Sequence, residues 1–168
     1  LIDRGFGGCG GFTRISFWFY PRKSAASAKS AVYSNPVWDK NFAVNRFLLI
    51  SIGAVLGANA RYLVSLWAAG RFGADFPYGT LIVNVTGSFA LGLLVGLLAG
   101  RVSLPEELRF LLGIGFLGAF TTFSTFSVET MNMLREESAW YALLNVLANN
   151  VGGIVAAFLG LTLARLFG

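Results

Sequence analysis

The 168-residue sequence contains no histidine, one cysteine, and charged side chains at only 12% of its positions. Each scarcity excludes something. Without histidine there is no imidazole-based catalytic triad and no ordinary zinc site, and a lone Cys9 cannot build a disulfide framework. No nucleophile and base pair stands out, so the chain does not read as an enzyme. Basic residues are also too dispersed for a nucleic-acid surface. The net charge is +5, but the thirteen Lys and Arg are scattered and six precede Val44, which is a tail and loop bias. What is abundant is apolar. Hydrophobic residues make up 55% of the chain and the mean hydropathy is +0.67, the composition of a multi-pass protein of the cell (inner) membrane whose first partner is the lipid bilayer.

Residues 1–44 hold glycine pairs, Pro21, Pro36 and a Ser/Ala/Lys patch, with no run able to span a bilayer. They read as a disordered or interfacial extension, without the apolar core of a secretory signal. No Met precedes Met131. The expectation is therefore that translation starts near Val44 on an alternative codon, with 45–168 forming the membrane domain.

Four spans are predicted, at about 46–69, 79–99, 105–134 and 139–166. The first places Gly53, Gly57 and Arg61 four apart on one face. Arg61 has two open readings, snorkelling to the interface or drawing anions into a vestibule. The second carries Thr80, Asn84 and Ser88 as a polar stripe, followed by close-packing glycines at 92, 96 and 100. The fourth repeats a small residue at 148, 152, 156, 160 and 164, and stacks Asn145 on Asn149 along another face.

The third span is the unusual one. Ser103 and Glu106 resemble a capping box, and Pro105 suits a first turn. From there to Leu134 a straight helix would be about 45 Å long, against a hydrocarbon core of about 30 Å. A break is predicted near 118–124, where Thr121, Thr122, Ser124 and Thr125 alternate with Phe123 and Phe126. Unpaired hydroxyls and backbone in lipid cost several kcal/mol each, so this stretch must be buried in protein or border a wet path. Half-helix ends at such a break bring dipoles and free carbonyls to where ions bind. Amides, hydroxyls and phenyl ring edges are all donors or positive poles that suit an anion.

Together, Gly53-x3-Gly57-x3-Arg61-Tyr62, Gly79-Thr80-Leu81-x2-Asn84-x2-Gly87 and Gly115-Phe116-x-Gly118-x2-Thr121-Thr122-Phe123-Ser124-Thr125-Phe126 resemble the Fluc/CrcB fluoride channels, over about 46–168. The resemblance implies a four-helix, antiparallel, dual-topology homodimer that lowers cytoplasmic fluoride by passive export. It implies Phe123 and Phe126 as the aromatic pathway residues, Asn84 and Thr80 as donors, and Ser124 and Thr125 in the same polar segment. It further implies a structural sodium ion on the carbonyls of Gly118 and Thr121 from both subunits, and places Glu129, like Arg61, towards a vestibule. The family's fourth helix tends to carry a hydroxyl track; here Asn145, Asn149 and Gly153 take that stripe, which puts Asn149 on the pathway.

Two features bear on a second copy. One bundle sealed by small residues leaves little room for a lined pore, so a partner is needed. After Val44 the bias of basic residues is weak, with Arg46, Arg101, Arg109 and Arg165 on one side against Arg71 and Arg135 on the other, as insertion in both orientations requires. The alternative reading is a small dual-topology, proton-coupled multidrug exporter. That mechanism needs an exchangeable intramembrane carboxylate, for which Glu129 is the sole candidate.

Overall fold

The computed structural model describes residues 40–99, 104–136 and 139–166. Expectations for residues 1–39, Gly100 and Ser103 lie outside the described residues. Every described element is helical: α1 (Lys40–Phe72), α2 (Tyr78–Ala99), α3 (Glu106–Leu108), a π-helical segment (Arg109–Leu117), α4 (Gly118–Phe120), α5 (Phe123–Arg135) and α6 (Ala139–Ala164). Among the described residues four stretches are long and apolar enough to cross a bilayer, Val44–Phe72, Tyr78–Ala99, Glu106–Arg135 and Ala139–Ala164. The protein is an all-α, multi-pass membrane protein.

The first helix is longer than the predicted span at both ends. From Lys40, the first described residue, it runs on unbroken because neither proline nor glycine interrupts the chain before Gly53, and a spanning helix can run on into the interface. It stops at Gly73, whose φ of +85° suits a residue without Cβ. Its N–H closes the last turn on the Ala69 carbonyl at 3.0 Å. Pro77 then lies just ahead of α2, and its carbonyl accepts from the Leu81 N–H at 3.1 Å.

Lipid tails are as apolar as leucine, so these helices associate through close packing rather than hydrophobic burial. Against α6, Gly92 meets the Ala157 carbonyl and Gly160 meets the Phe89 carbonyl so closely that a Cβ at either would collide with backbone. Ala156 and Ala164 are buried in the same seam. Ala148 and Gly152, the first two members of the small-residue repeat, instead border an apolar recess of about 750 Å³ with Leu81, Val85 and Leu147. On the other side, Gly53 and Gly57 seat α1 on the Leu111 and Phe116 carbonyls of the π-helical segment.

The third span is broken inside the predicted window. Thr121 (φ −80°, ψ 157°) and Thr122 (φ −151°, ψ 116°) are extended, with α4 ending before them and α5 starting after them. The π-helical segment ahead of the break was not expected, because hydrophobic periodicity does not separate a widened helix from an α-helix over nine residues. Pro105 is the N-cap of α3 and makes no side-chain cap bond, while the Ser103 half of the expected capping box lies outside the described residues. The Glu106 carboxylate is drawn away by an ion pair with Arg46 on α1. The Arg46 guanidinium also lies over the Phe110 ring, 4.5 Å from its centroid.

Candidate functional site

A helix that stops in mid-membrane must find partners for the amides and carbonyls it strands. Thr122 supplies part of the answer as N-cap of α5. Its Oγ1 accepts from the Thr125 N–H at 3.2 Å and donates to Thr125 Oγ1 at 3.0 Å, with Ser124 Oγ 3.3 Å away. Asn84 of α2 supplies the rest. Its Oδ1 accepts from the Thr122 N–H at 2.8 Å, and its Nδ2 donates to the Thr122 carbonyl at 3.1 Å.

These bonds release two carbonyls from the helical ladder. The Thr122 N–H that would close a turn on Gly118 goes to Asn84, and the Thr125 N–H that would close on Thr121 goes to Thr122. Gly118 is also exposed at the surface of the single chain. The Thr121 carbonyl receives a long bond from Arg61 Nη1 at 3.4 Å. Arg61 is thus aimed at the break, and Thr121 keeps its own N–H and hydroxyl on the Leu117 carbonyl, both at 3.1 Å.

Beside the break lies a recess of about 230 Å³ lined by Asn84, Ser88, Thr121, Thr122, Phe123, Phe126 and Asn149. Asn84 Nδ2 donates a second time, to Asn149 Oδ1 at 2.9 Å. The rings of Phe123 and Phe126 are 5.4 Å apart and inclined at 51°, but their surroundings differ sharply. Phe126 is 7% exposed and Phe123 76%. Ser124 and Thr125 are exposed alongside Phe123.

Thr80 and Glu129 are not at this recess. Thr80 Oγ1 donates to Glu129 Oε1 at 2.8 Å, which joins α2 to α5. Both border a second recess of about 320 Å³, with Ser65, Asp75, Tyr78, Asn132 and Glu136. Among the described residues, Glu129 Oε2 is buried without a hydrogen-bond partner. Among the residues singled out from sequence, Asn84, Asn149, Phe123 and Phe126 therefore come together. Ser124 and Thr125 belong to the cap, Arg61, Gly118 and Thr121 to the break, and Thr80 and Glu129 to the second recess.

Sequence reasoning missed Thr130 and underrated Asn145. Thr130 is buried, and Asn145 is fully buried. A lone Thr after Glu129 carries no sequence signal. Asn145 did carry one, its four-residue spacing from Asn149.

Fold and site define a class: a polytopic protein whose third span is interrupted at a polar, aromatic-edged recess, the construction of ion channels and transporters rather than of a structural bundle. The chain belongs to the CrcB family. The family described as CrcB-like protein, Camphor Resistance (CrcB), matches residues 48–161. Among its relatives is the Fluoride-specific ion channel FluC of Chloroflexus aurantiacus, 44% identical over 125 residues that cover 74% of this chain and 99% of the relative. The proteins of the same name from Roseiflexus sp. and Legionella pneumophila strain Paris are 50% identical over 118 residues (70% and 95% of the two chains) and 47% identical over 120 residues (71% and 89%).

Proposed function

We propose that this protein is a fluoride-specific ion channel that lets cytoplasmic fluoride leave passively, and that it works as an antiparallel homodimer. The observation that carries the reading is the mid-span recess between Asn84, Asn149 and the Phe126 ring, in a chain whose relatives are named as fluoride-specific channels. It has no need of a catalytic group.

An anion stripped of water must find hydrogen-bond donors, since an uncompensated ion in low dielectric costs far more than any single contact returns. Donors at the recess are amide hydrogens of Asn84 held at rest by Thr122 and Asn149. Fluoride takes them by exchange, displacing a carbonyl from a hydrogen bond without leaving that hydrogen unpaired for long. The edges of Phe126 and Phe123 add positive poles, and the N-terminus of α5 directs its dipole at the same place. Thr80 and Glu129 mark the route towards the second recess.

A second copy is called for by what one copy leaves uncovered. Phe123, Ser124 and Thr125 are exposed halfway along the third span, and hydroxyls facing lipid are costly. The Gly118 and Thr121 carbonyls, released from the helical ladder, suit a hard cation by donor chemistry once the long Arg61 bond to Thr121 gives way, but two oxygens fall short of the roughly six that such ions take. Two copies meeting at the break double the number. On this reading the Gly118 and Thr121 carbonyls of both copies would hold sodium, which would supply a fixed positive charge at the break.

The test is fluoride efflux from liposomes holding the purified protein, followed with a fluoride electrode. Rapid efflux without a pH gradient, with negligible chloride efflux, supports the channel. Proton movement driven by added drug, without fluoride efflux, supports the exporter instead.

A further inference from the structure

One set of polar groups in the bundle core lies outside the pathway as described, and it is continuous with it. Thr130 Oγ1 donates its single hydrogen to the Phe126 carbonyl at 2.8 Å. With that hydrogen committed, Thr130 can only accept from Asn145, so Asn145 must turn its Nδ2 towards it, at 2.9 Å. Asn145 Oδ1 then faces Asn149 and accepts from its Nδ2 at 2.8 Å. The Asn145 backbone carbonyl holds the same amide at 3.1 Å. Asn149 is left with its Oδ1 towards Asn84, where it receives the Asn84 Nδ2 at 2.9 Å. The Asn84 Oδ1 finally accepts from the Thr122 N–H at the break.

We propose that Thr130 and Asn145 are positioning residues of the fluoride pathway: they join the helical turn bearing Phe126 to the amide pair of Asn149 and Asn84, and so fix the aromatic wall relative to the amide donors. Neither touches the recess. Each acts through a residue that does. The order of donors and acceptors runs one way from the Phe126 carbonyl to the Thr122 amide, so each asparagine amide has one orientation that satisfies every member. Asn145 is the link on which this depends most, because it is 0% exposed and no water can replace a lost bond there. In its absence Asn149 Nδ2 keeps only its bond to the backbone carbonyl at position 145, and the Thr130 hydroxyl beside Phe126 loses its tie to α6.

The proposal rests on the fluoride-channel reading, and its test separates the two. Efflux is compared in liposomes for the parent protein and for Thr130→Val, Thr130→Ser, Asn145→Leu and the double variant Thr130→Val/Asn145→Leu, each normalised to monodisperse folded protein. Thr130→Val conserves shape and deletes the hydroxyl; Thr130→Ser conserves the hydroxyl. The expected result is fluoride efflux about tenfold slower in Thr130→Val and in Asn145→Leu, near parent speed in Thr130→Ser, and no slower in the double variant than in the slower single one. If Asn145→Leu fails to fold, the Val and Ser pair decides alone. Parent-like efflux in Thr130→Val, equal losses in Val and Ser, or losses that multiply in the double variant would each overturn it while leaving the channel reading intact. A parent protein without fluoride efflux would overturn both.

Discussion

The side-chain amide of Asn84 pairs with both the N–H and the C=O of Thr122, 2.8 and 3.1 Å away, so a residue of α2 stands in for the missing helical turn of the third span. This pair of hydrogen bonds makes Asn84 a structural staple as well as a donor. Thr122 is 7% exposed, and removing the amide strands its backbone groups.

Asn84→Leu should therefore lower stability by about 1–3 kcal/mol for each backbone group left unpaired. The check is thermal unfolding in detergent beside Asn84→Gln. The reading requires Leu to be clearly the less stable, with fluoride efflux depressed.

Phe126 and Phe123 should respond differently to truncation. Phe126 is packed in the single chain, so Phe126→Ala leaves a cavity costing about 3–5 kcal/mol, whereas Phe126→Ile retains most of the volume and removes only the ring. Efflux should be lost in Phe126→Ile with folding retained. Phe123→Ala should unfold a monomeric form no more readily, since its ring is covered only by a partner on this account. Comparing unfolding temperatures across protein concentration distinguishes the two.

The seat of α1 on the π-helical segment leaves no space for side chains at Gly53 and Gly57. Gly57→Val should place methyl groups against the Phe116 backbone, which cannot yield like a flexible side chain. A loss of more than about 2 kcal/mol, visible as a collapse in the yield of monodisperse protein, is expected. Gly70→Val serves as the control, because nothing among the described residues lies within 4 Å of a Cβ at Gly70.

Sodium removal tests the carbonyls freed at the break. Replacing sodium with N-methylglucamine should lower the melting temperature and the dimer fraction together, and returning sodium should restore both. Indifference to the cation would remove the ion from the account without touching the amide recess.

Much of this was legible before any coordinates. Hydropathy marked the four spans, the excess length of the third span announced its break, and the Thr/Ser/Phe run located it to within a few residues. Spacing of four aligned Thr80 with Asn84 and Asn145 with Asn149. Other features were hidden for physical reasons. A π-helical segment differs from an α-helix in hydrogen-bond pairing, which composition does not encode. The partners of Arg61 and Glu106 each lie 60 residues away along the chain, and no local pattern names such a partner. Thr130 was invisible because a single hydroxyl gains its meaning only from the asparagine that folding brings beside it.

The most direct measurement is the reversal potential of the purified protein in a planar bilayer with fluoride on one side and chloride on the other. The account predicts channel currents that reverse far towards the fluoride equilibrium potential, are unaffected by a superimposed pH gradient, and vanish in Phe126→Ile. Reversal near zero, or a potential that follows the proton gradient, would contradict it.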